Sequence, residues 1–144
     1  MLVSQILKSK SDDRVVSVRP GTTVRQAAEM LSTRRIGALI ISSDGKILTG
    51  ILSERDVVRE IGRLGAACLD ETVEAIMTAR VVTCRRDDRA DDVLQTMTDG
   101  RFRHLPVVED GIMVGLISIG DVVKARLSEL SMEKDALEGM IKGF

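Results

Sequence analysis

Apolar and polar residues follow two different periods along this chain. Residues 24–31 place apolar side chains at a 3.6-residue spacing, which predicts an amphipathic helix that Thr22-Thr23 can cap. Apolar runs at 36–41 and 47–52 predict two strands. Asp44-Gly45 lies between the two runs and is a strong hairpin signal. A second copy of this order follows about sixty-five residues later, so the chain contains an internal repeat.

The second copy repeats each predicted segment in turn. Its helix is expected at 88–98, its strands at 104–108 and 112–117, and its turn at Asp110-Gly111. In each copy a short strand comes first, at 15–18 and at 81–84. Short helical segments at 3–8 and 73–78 precede the two copies.

These segments predict a mixed α/β fold of two similar halves, each ordered strand, helix, strand, strand, helix. A lone half would bury too little core to be stable, so we expect the two halves to pack through their sheets around a pseudo-two-fold axis. The predicted boundaries are 1–66 for the first repeat, 67–72 for a linker, 73–131 for the second repeat and 132–144 for a helical tail.

A ten-residue element occurs in both halves, at 50–59 and again at 115–124. In each, a glycine and an aliphatic pair end a strand, and a serine and an aspartate three residues later start a helix. The serines are Ser53 and Ser118, and the aspartates are Asp56 and Asp121. One interpretation is a capping box that satisfies backbone N–H groups. The other is a nucleotide site, because a helix N-terminus favours phosphate and a carboxylate accepts ribose hydroxyls.

Composition narrows the range of functions. The 21 basic and 22 acidic residues nearly cancel, so no overall field attracts nucleic acid or a membrane. Phe102 and Phe144 are the only aromatic residues, which disfavours a surface on which bases stack. The chain has one histidine and no nucleophile and base at a recognisable spacing, so we do not expect an enzyme.

The cysteines and the N-terminus indicate the compartment. Cys68 and Cys84 are isolated and match no metal-binding spacing, which is typical of small core residues in a reducing environment. We find neither a signal-peptide pattern nor an apolar run of membrane-spanning length. We therefore expect a cytoplasmic protein that needs no metal.

From about Val3 to Leu127 the ordered motifs resemble a tandem pair of CBS domains, also called a Bateman module. The resemblance rests on the 36–41 and 104–108 strands, the Asp-Gly hairpins and the doubled Gly-x-x-Ser-x-x-Asp. It implies a regulatory module that binds an adenosine ligand and signals to another, unidentified protein. The ligand would be AMP, ADP, ATP, NAD(H) or S-adenosylmethionine. An alternative is a ligand-free interaction module in which the motifs only cap helices.

The resemblance also assigns residues to two clefts. One would combine Ser118 and Asp121 with Val16, Ile36 and Gly37. The other would combine Ser53 and Asp56 with Val82, Arg103 and His104. In this assignment the aspartates hold the ribose hydroxyls, the serines lie beside ribose and phosphate, and strand edges contact adenine.

The two clefts are expected to differ in charge. Arg55 lies in the first motif, where the second has Gly120, and a guanidinium can bind phosphate oxygens bidentately. The Ser53/Asp56 cleft should therefore prefer the longer phosphate chain or a dinucleotide. A half-buried strand residue is as good an interpretation of His104 as a phosphate ligand. Four other arginines are expected to be solvated: Arg34, Arg35, Arg59 and Arg101.

Apolar residues with heptad spacing continue past the second motif. They are Val123, Leu127, Leu130, Leu137, Ile141 and Phe144, with Lys134 in the remaining position. Such a seam predicts a helix that pairs with another helix, although Gly139 costs the helix about 1 kcal/mol relative to alanine. We expect a homodimer to which the segment after Ser131 contributes. The alternative is a tail folded back on its own chain.

Overall fold

A computed structural model describes residues 1–10 and 14–142 of the chain. Within these ranges there are five α-helices, two short 3-10 helices and five strands. The helices are α1 (Val3–Ser9), α2 (Val24–Arg34), α3 (Glu54–Leu64), α4 (Ala90–Gly100) and α5 (Ile119–Ile141). The strands are β1 (Ser17–Val18), β2 (Ala38–Ile41), β3 (Gly50–Ser53), β4 (His104–Glu109) and β5 (Ile112–Ser118). The mixed α/β class predicted from the sequence is confirmed.

The chain forms two compact units, which do not coincide with the two sequence repeats. The first unit contains the described parts of 1–13, 83–107 and 115–144. The second contains 14–82 and 108–114. The N-terminal helix α1 therefore belongs to the unit that holds the helices of the second repeat.

The second unit contains a three-stranded sheet in the order β1-β2-β3. β1 pairs parallel with β2, with Ser17 opposite Ile40, and β2 pairs antiparallel with β3, with Leu39 opposite Leu52. A parallel pair needs a crossover, and α2 provides it. All four residues of the central strand β2 are buried. The core of this unit consists of Val18, Val24, Ala27, Leu31, Leu39, Ile41, Leu52, Val57, Val73 and Ile76.

In the second repeat β4 and β5 form a two-stranded sheet. The strand predicted at 81–84 is reduced to a single parallel bridge between Cys84 and Val107. The amide of Cys84 donates to the carbonyl of Pro106 at 3.0 Å. In the first repeat, the amide of Ile40 continues the equivalent ladder by donating to Val16 at 3.1 Å. Pro106 occupies the corresponding position and has no N–H to donate, so the ladder is shorter.

The amphipathic helices have the buried faces that their periodicity predicts. Thr23 caps α2, because its hydroxyl accepts from the amide of Gln26 at 3.1 Å. In α4 the buried positions are Ala90, Val93 and Met97. Two predicted segments differ: 73–78 contains only a 3-10 turn (Val73–Ala75), and a second 3-10 turn (Ala66–Asp70) begins at the last residue of the predicted first repeat and continues into the linker. Short segments such as these favour 3-10 geometry because they close few α-helical hydrogen bonds.

Candidate functional site

The first candidate motif joins the end of β3 to the start of α3. The hydroxyl of Ser53 accepts a hydrogen bond from the amide of Asp56 at 3.2 Å. In return, Oδ2 of Asp56 accepts from the amide of Ser53 at 2.8 Å. These two bonds form the capping box predicted from the sequence, with aspartate in place of the more common glutamate.

The second motif repeats this geometry at the junction of β5 and α5. Ser118 accepts from the amide of Asp121 at 3.1 Å, and Asp121 accepts from the amide of Ser118 at 2.9 Å. The backbone angles of the two capping serines are nearly equal, with φ −102° and ψ 161° at Ser53 and φ −101° and ψ 163° at Ser118. The two copies of the sequence motif therefore adopt the same capping geometry.

In each motif a backbone carbonyl accepts a hydrogen bond from the first amide of the helix. Glu54 donates to the carbonyl of Gly37 at 3.0 Å, and Ile119 donates to that of Arg103 at 2.8 Å. Gly37 therefore lies beside the first motif and Arg103 beside the second. The resemblance assigned each of these two residues to the opposite motif; that assignment stays a prediction.

The second helical position distinguishes the motifs. The amides of Arg55 in α3 and Gly120 in α5 are at this position. Neither donates to its capping serine or to the backbone carbonyl that accepts from the preceding amide. A Cβ atom built on Gly120 would have as its nearest neighbour the hydroxyl of Ser118, at 3.6 Å. The second motif therefore has no side chain at the position where the first motif carries Arg55, and among the described residues each helix start has one amide available for an anion.

Each aspartate also has a cationic partner. Oδ1 of Asp56 accepts from Arg59 at 2.9 Å, and the Asp56 side chain is 13% exposed. Oδ2 of Asp121 lies 2.9 Å from the ammonium of Lys10, and its side chain is 25% exposed. Arg59 was expected to be solvated. Its side chain is 59% exposed and also pairs with Asp56, as the i,i+3 spacing indicates. Lys10 had no signal in the sequence.

Lys10 ties α1 to the second motif. Its ammonium also donates to the carbonyl of Leu116 at 2.8 Å. Partial burial raises the pKa of Asp121, but the hydrogen bond from Ser118 and the ammonium of Lys10 outweigh burial, so this pKa lies below its usual value. The carboxylate is therefore ionised at neutral pH. Because Oδ2 takes both bonds, Oδ1 retains its acceptor capacity among the described residues.

The motif glycines are sites of close packing. A Cβ atom on Gly50 would lie 2.5 Å from Sδ of Met77 and 3.0 Å from the carbonyl oxygen of Thr78. A Cβ atom on Gly115 would lie 2.8 Å from Cδ2 of Leu7. Met77 and Leu7 come from the corresponding segments that precede the two repeats. The segment before the second copy thus packs on the motif of the first copy, and the segment before the first copy packs on the motif of the second. This exchange explains why the compact units differ from the sequence repeats.

The remaining predicted residues differ in burial. Val16 and Ile36 are half-buried against the core of the second unit, and Val82 is 46% exposed. His104, at the start of β4, is half-buried. Arg55 and Arg103 are exposed, and neither guanidinium has an ion-pair partner among residues 1–10 and 14–142. Both arginines are therefore available to a ligand.

Comparison with known proteins identifies the family. The family model described as the CBS domain matches residues 3–63 and again 73–128. The chain belongs to the CBS-domain family. It is 34% identical to the CBS domain-containing protein CBSX3, mitochondrial, of Arabidopsis thaliana, over 98% of this chain and 72% of that protein. Longer relatives from the same plant match over only 22–25% of their length.

Solved structures of CBS-domain proteins share the fold. The protein ATU1752 from Agrobacterium tumefaciens superposes with a TM-score of 0.83 and 40% identity, covering 88% of this chain and 99% of that one. The CBS domain protein PAE2072 from Pyrobaculum aerophilum, complexed with AMP, has a TM-score of 0.76 and 26% identity, covering 92% and 99%. A tandem CBS pair, as the resemblance implied, is confirmed.

Neither a metal-binding cluster nor a membrane-spanning helix occurs in the described part of the chain. Within 1–10 and 14–142, no three histidine, cysteine or acidic side chains are close enough together to hold a metal ion. None of the helices in these ranges is both long and apolar enough to cross a bilayer.

Proposed function

We propose that this CBS pair is a regulatory module that binds an adenosine nucleotide at the starts of α3 and α5 and signals its occupancy to another protein. The observation that carries the proposal is the doubled motif, in which an aspartate carboxylate, a serine hydroxyl and a helix amide that no described residue uses occur together. The AMP complex of PAE2072, a relative of the same fold, supports adenosine as the ligand class.

The chemistry of each group fits one part of such a ligand. A ribose diol donates two hydrogen bonds, and Oδ1 of Asp121 can accept both. A phosphate accepts from the helix amide at Gly120 or Arg55 and is favoured by the helix dipole. The exposed guanidiniums of Arg55 and Arg103 can neutralise further phosphate charge. AMP, ADP, ATP and NAD(H) all present these groups.

A second candidate is an interaction module that binds no ligand. The capping boxes favour it, because one oxygen of each aspartate already satisfies a serine amide. Cation pairing at Arg59 and Lys10 further reduces the free acceptors. This candidate accounts for the motif residues by helix stability alone, so a binding experiment must separate it from the first.

Titration calorimetry with AMP, ATP and NADH on the full chain tests the proposal, after mass spectrometry of small molecules that copurify with it. Asp56→Ala and Asp121→Ala should each lose roughly ten- to a hundred-fold in affinity at one site, from about 1.5–3 kcal/mol per charge-assisted hydrogen bond. Thr23→Ala removes a capping hydroxyl outside both motifs and should bind as wild type does. If both aspartate variants also bind as wild type, only the capping role survives.

The module also needs partners. We propose a homodimer to which the C-terminal segment contributes, and a separate protein that the module regulates. Phe144, the last residue of the predicted seam, lies outside the described residues. A regulatory role rather than catalysis agrees with the single histidine and the family. A cytoplasmic location stays a prediction, since the name of one relative specifies mitochondria.

A further inference from the structure

The outer edge of β1 has unused backbone hydrogen-bonding groups. β1 is the end strand of its sheet, and no strand within 1–10 and 14–142 pairs with its far side. On the inner side, the carbonyls of Val16 and Val18 accept hydrogen bonds from amides of β2 and of the residue after it, at 3.1 and 2.9 Å. Because successive strand residues direct their backbone groups to opposite sides, the N–H and C=O of Ser17 point away from β2. These two groups and the N–H of Arg19 have no partner in the described part of the chain.

A groove of about 580 Å³ lies beside this edge, between β1 and α2. Its strand side contains Ser17 and Arg19, and its helix side contains Glu29, Met30 and Arg34. The eleven residues of α2 give the groove a length of about 16 Å, at 1.5 Å per residue. About five residues of extended chain, at roughly 3.3 Å each, span this length. A groove between an edge strand and a helix is the geometry in which an extended peptide adds to a sheet as a further strand.

The charges in the groove indicate what kind of peptide fits. Because α2 is the crossover between parallel strands, it runs opposite to β1, so Arg19 is near the start of the helix and Arg34 is at its end. Both guanidiniums are exposed and lack an ion-pair partner among the described residues. The positive end of the helix dipole adds to the charge of Arg19. Between the two arginines lie Glu29, which repels acidic groups, and the half-buried Met30, which offers apolar surface.

We propose that this groove binds an extended segment of another protein as a fourth strand on β1, with an acidic residue at each end and an apolar residue between them. The segment exchanges two backbone hydrogen bonds with Ser17 and accepts a third from the amide of Arg19. Pro20 has no N–H to donate, so it ends the ladder and limits the site to a short segment. The groove shares no residue with the two motifs, so this docking site is independent of nucleotide binding there.

Selection from a displayed library of random heptapeptides on the full chain, without nucleotide, tests the proposal. We expect enriched sequences to have two acidic residues flanking an apolar one. Ser17→Pro removes the outer N–H but no hydrogen bond of the sheet, and proline is tolerated in edge strands. It should weaken the selected peptides by roughly tenfold or more in fluorescence polarisation. Arg19→Glu and Arg34→Glu should do the same without changing the backbone, while Arg80→Glu, an exposed position outside the groove, should bind as wild type does.

Amide hydrogen exchange of the full chain separates strand addition from other modes of binding. A selected peptide should slow exchange at Ser17 and Arg19 in particular. If Ser17→Pro fails to fold, the two charge-reversal variants and this exchange measurement decide the question. The proposal is overturned if no sequence is enriched, or if the selected peptides bind these variants as tightly as wild type. A wild-type dimer that Ser17→Pro dissociates in light scattering would also overturn it, because a second copy of the chain would then cover the edge.

Discussion

The ammonium of Lys10 lies 2.9 Å from Oδ2 of Asp121, so the C-cap residue of α1 neutralises the carboxylate of the second repeat's motif. The same ammonium binds the carbonyl of Leu116, which lies 106 residues away in the chain. Asp56, the equivalent carboxylate, is paired instead with Arg59 of its own helix. The two motifs share a capping geometry but differ in the source of their positive charge.

This pair predicts a pH dependence of stability. The pKa of Asp121 is lower in the folded chain than the usual value of about 3.9 for unfolded aspartate. The stabilisation is therefore present above that value and is lost as the pH falls through the folded pKa. Asp121→Asn should show a smaller decrease in unfolding free energy between neutral and acid pH than wild type, measured by chemical denaturation.

Removing the ammonium provides the matched control. Lys10→Met should raise the pKa of Asp121 towards its usual value, while Lys8→Met, an exposed position in the last turn of α1, should leave it unchanged. A carboxyl-carbon NMR titration of the full chain measures both. An unaltered Asp121 pKa in Lys10→Met would mean that the ion pair does not form in solution.

The capping hydroxyls should have separable effects on stability and binding. Ser53→Ala, Ser118→Ala and Thr23→Ala each remove an N-cap acceptor and should each cost about 0.5–2 kcal/mol of unfolding free energy. Only the two serine variants should also weaken AMP binding in calorimetry. Equal stability losses with unchanged binding in all three would leave the serines with a purely structural role.

The motif glycines should differ in how well they tolerate substitution by alanine. Gly50→Ala should destabilise by about 1–3 kcal/mol, because the new methyl group meets the backbone oxygen of Thr78 as well as Met77. Gly115→Ala meets only the side chain of Leu7, which can move, so it should cost less. Gly62→Ala is the control: nothing lies within 4 Å, and it should stabilise α3 by up to about 1 kcal/mol. Thermal unfolding of the three variants tests this order.

The predicted difference in charge between the sites can be tested through Arg103. Its guanidinium is exposed and has no ion-pair partner in the described part of the chain. Arg103→Ala should weaken ATP or NADH binding by roughly tenfold and adenosine binding little, and it should reduce the salt dependence of ATP binding. Arg101→Ala removes the same charge two residues away and serves as the control. Equal losses for adenosine and ATP would contradict a phosphate role.

The local structure of this protein could be read from its sequence. Helix faces at Val24, Ala27 and Leu31, the cap at Thr23 and both Ser-x-x-Asp boxes depend on residues three or four positions apart. Such spacings are fixed by helix geometry, so the sequence predicts them directly. The shortened ladder at Cys84 could have been predicted as well, since Pro106 has no N–H to donate.

Only the tertiary structure decided which segments share a unit. Lys10 binds Asp121, Leu7 packs on Gly115, and Met77 packs on Gly50; the first two of these contacts join opposite ends of the chain. No spacing in the sequence indicates these contacts. Residues far apart in the chain meet because the shapes and charges of their packed surfaces fit, and the helix or strand period does not determine that fit. The sequence therefore determined the two capped motifs, while packing determined which segment supplies the charge and cover for each.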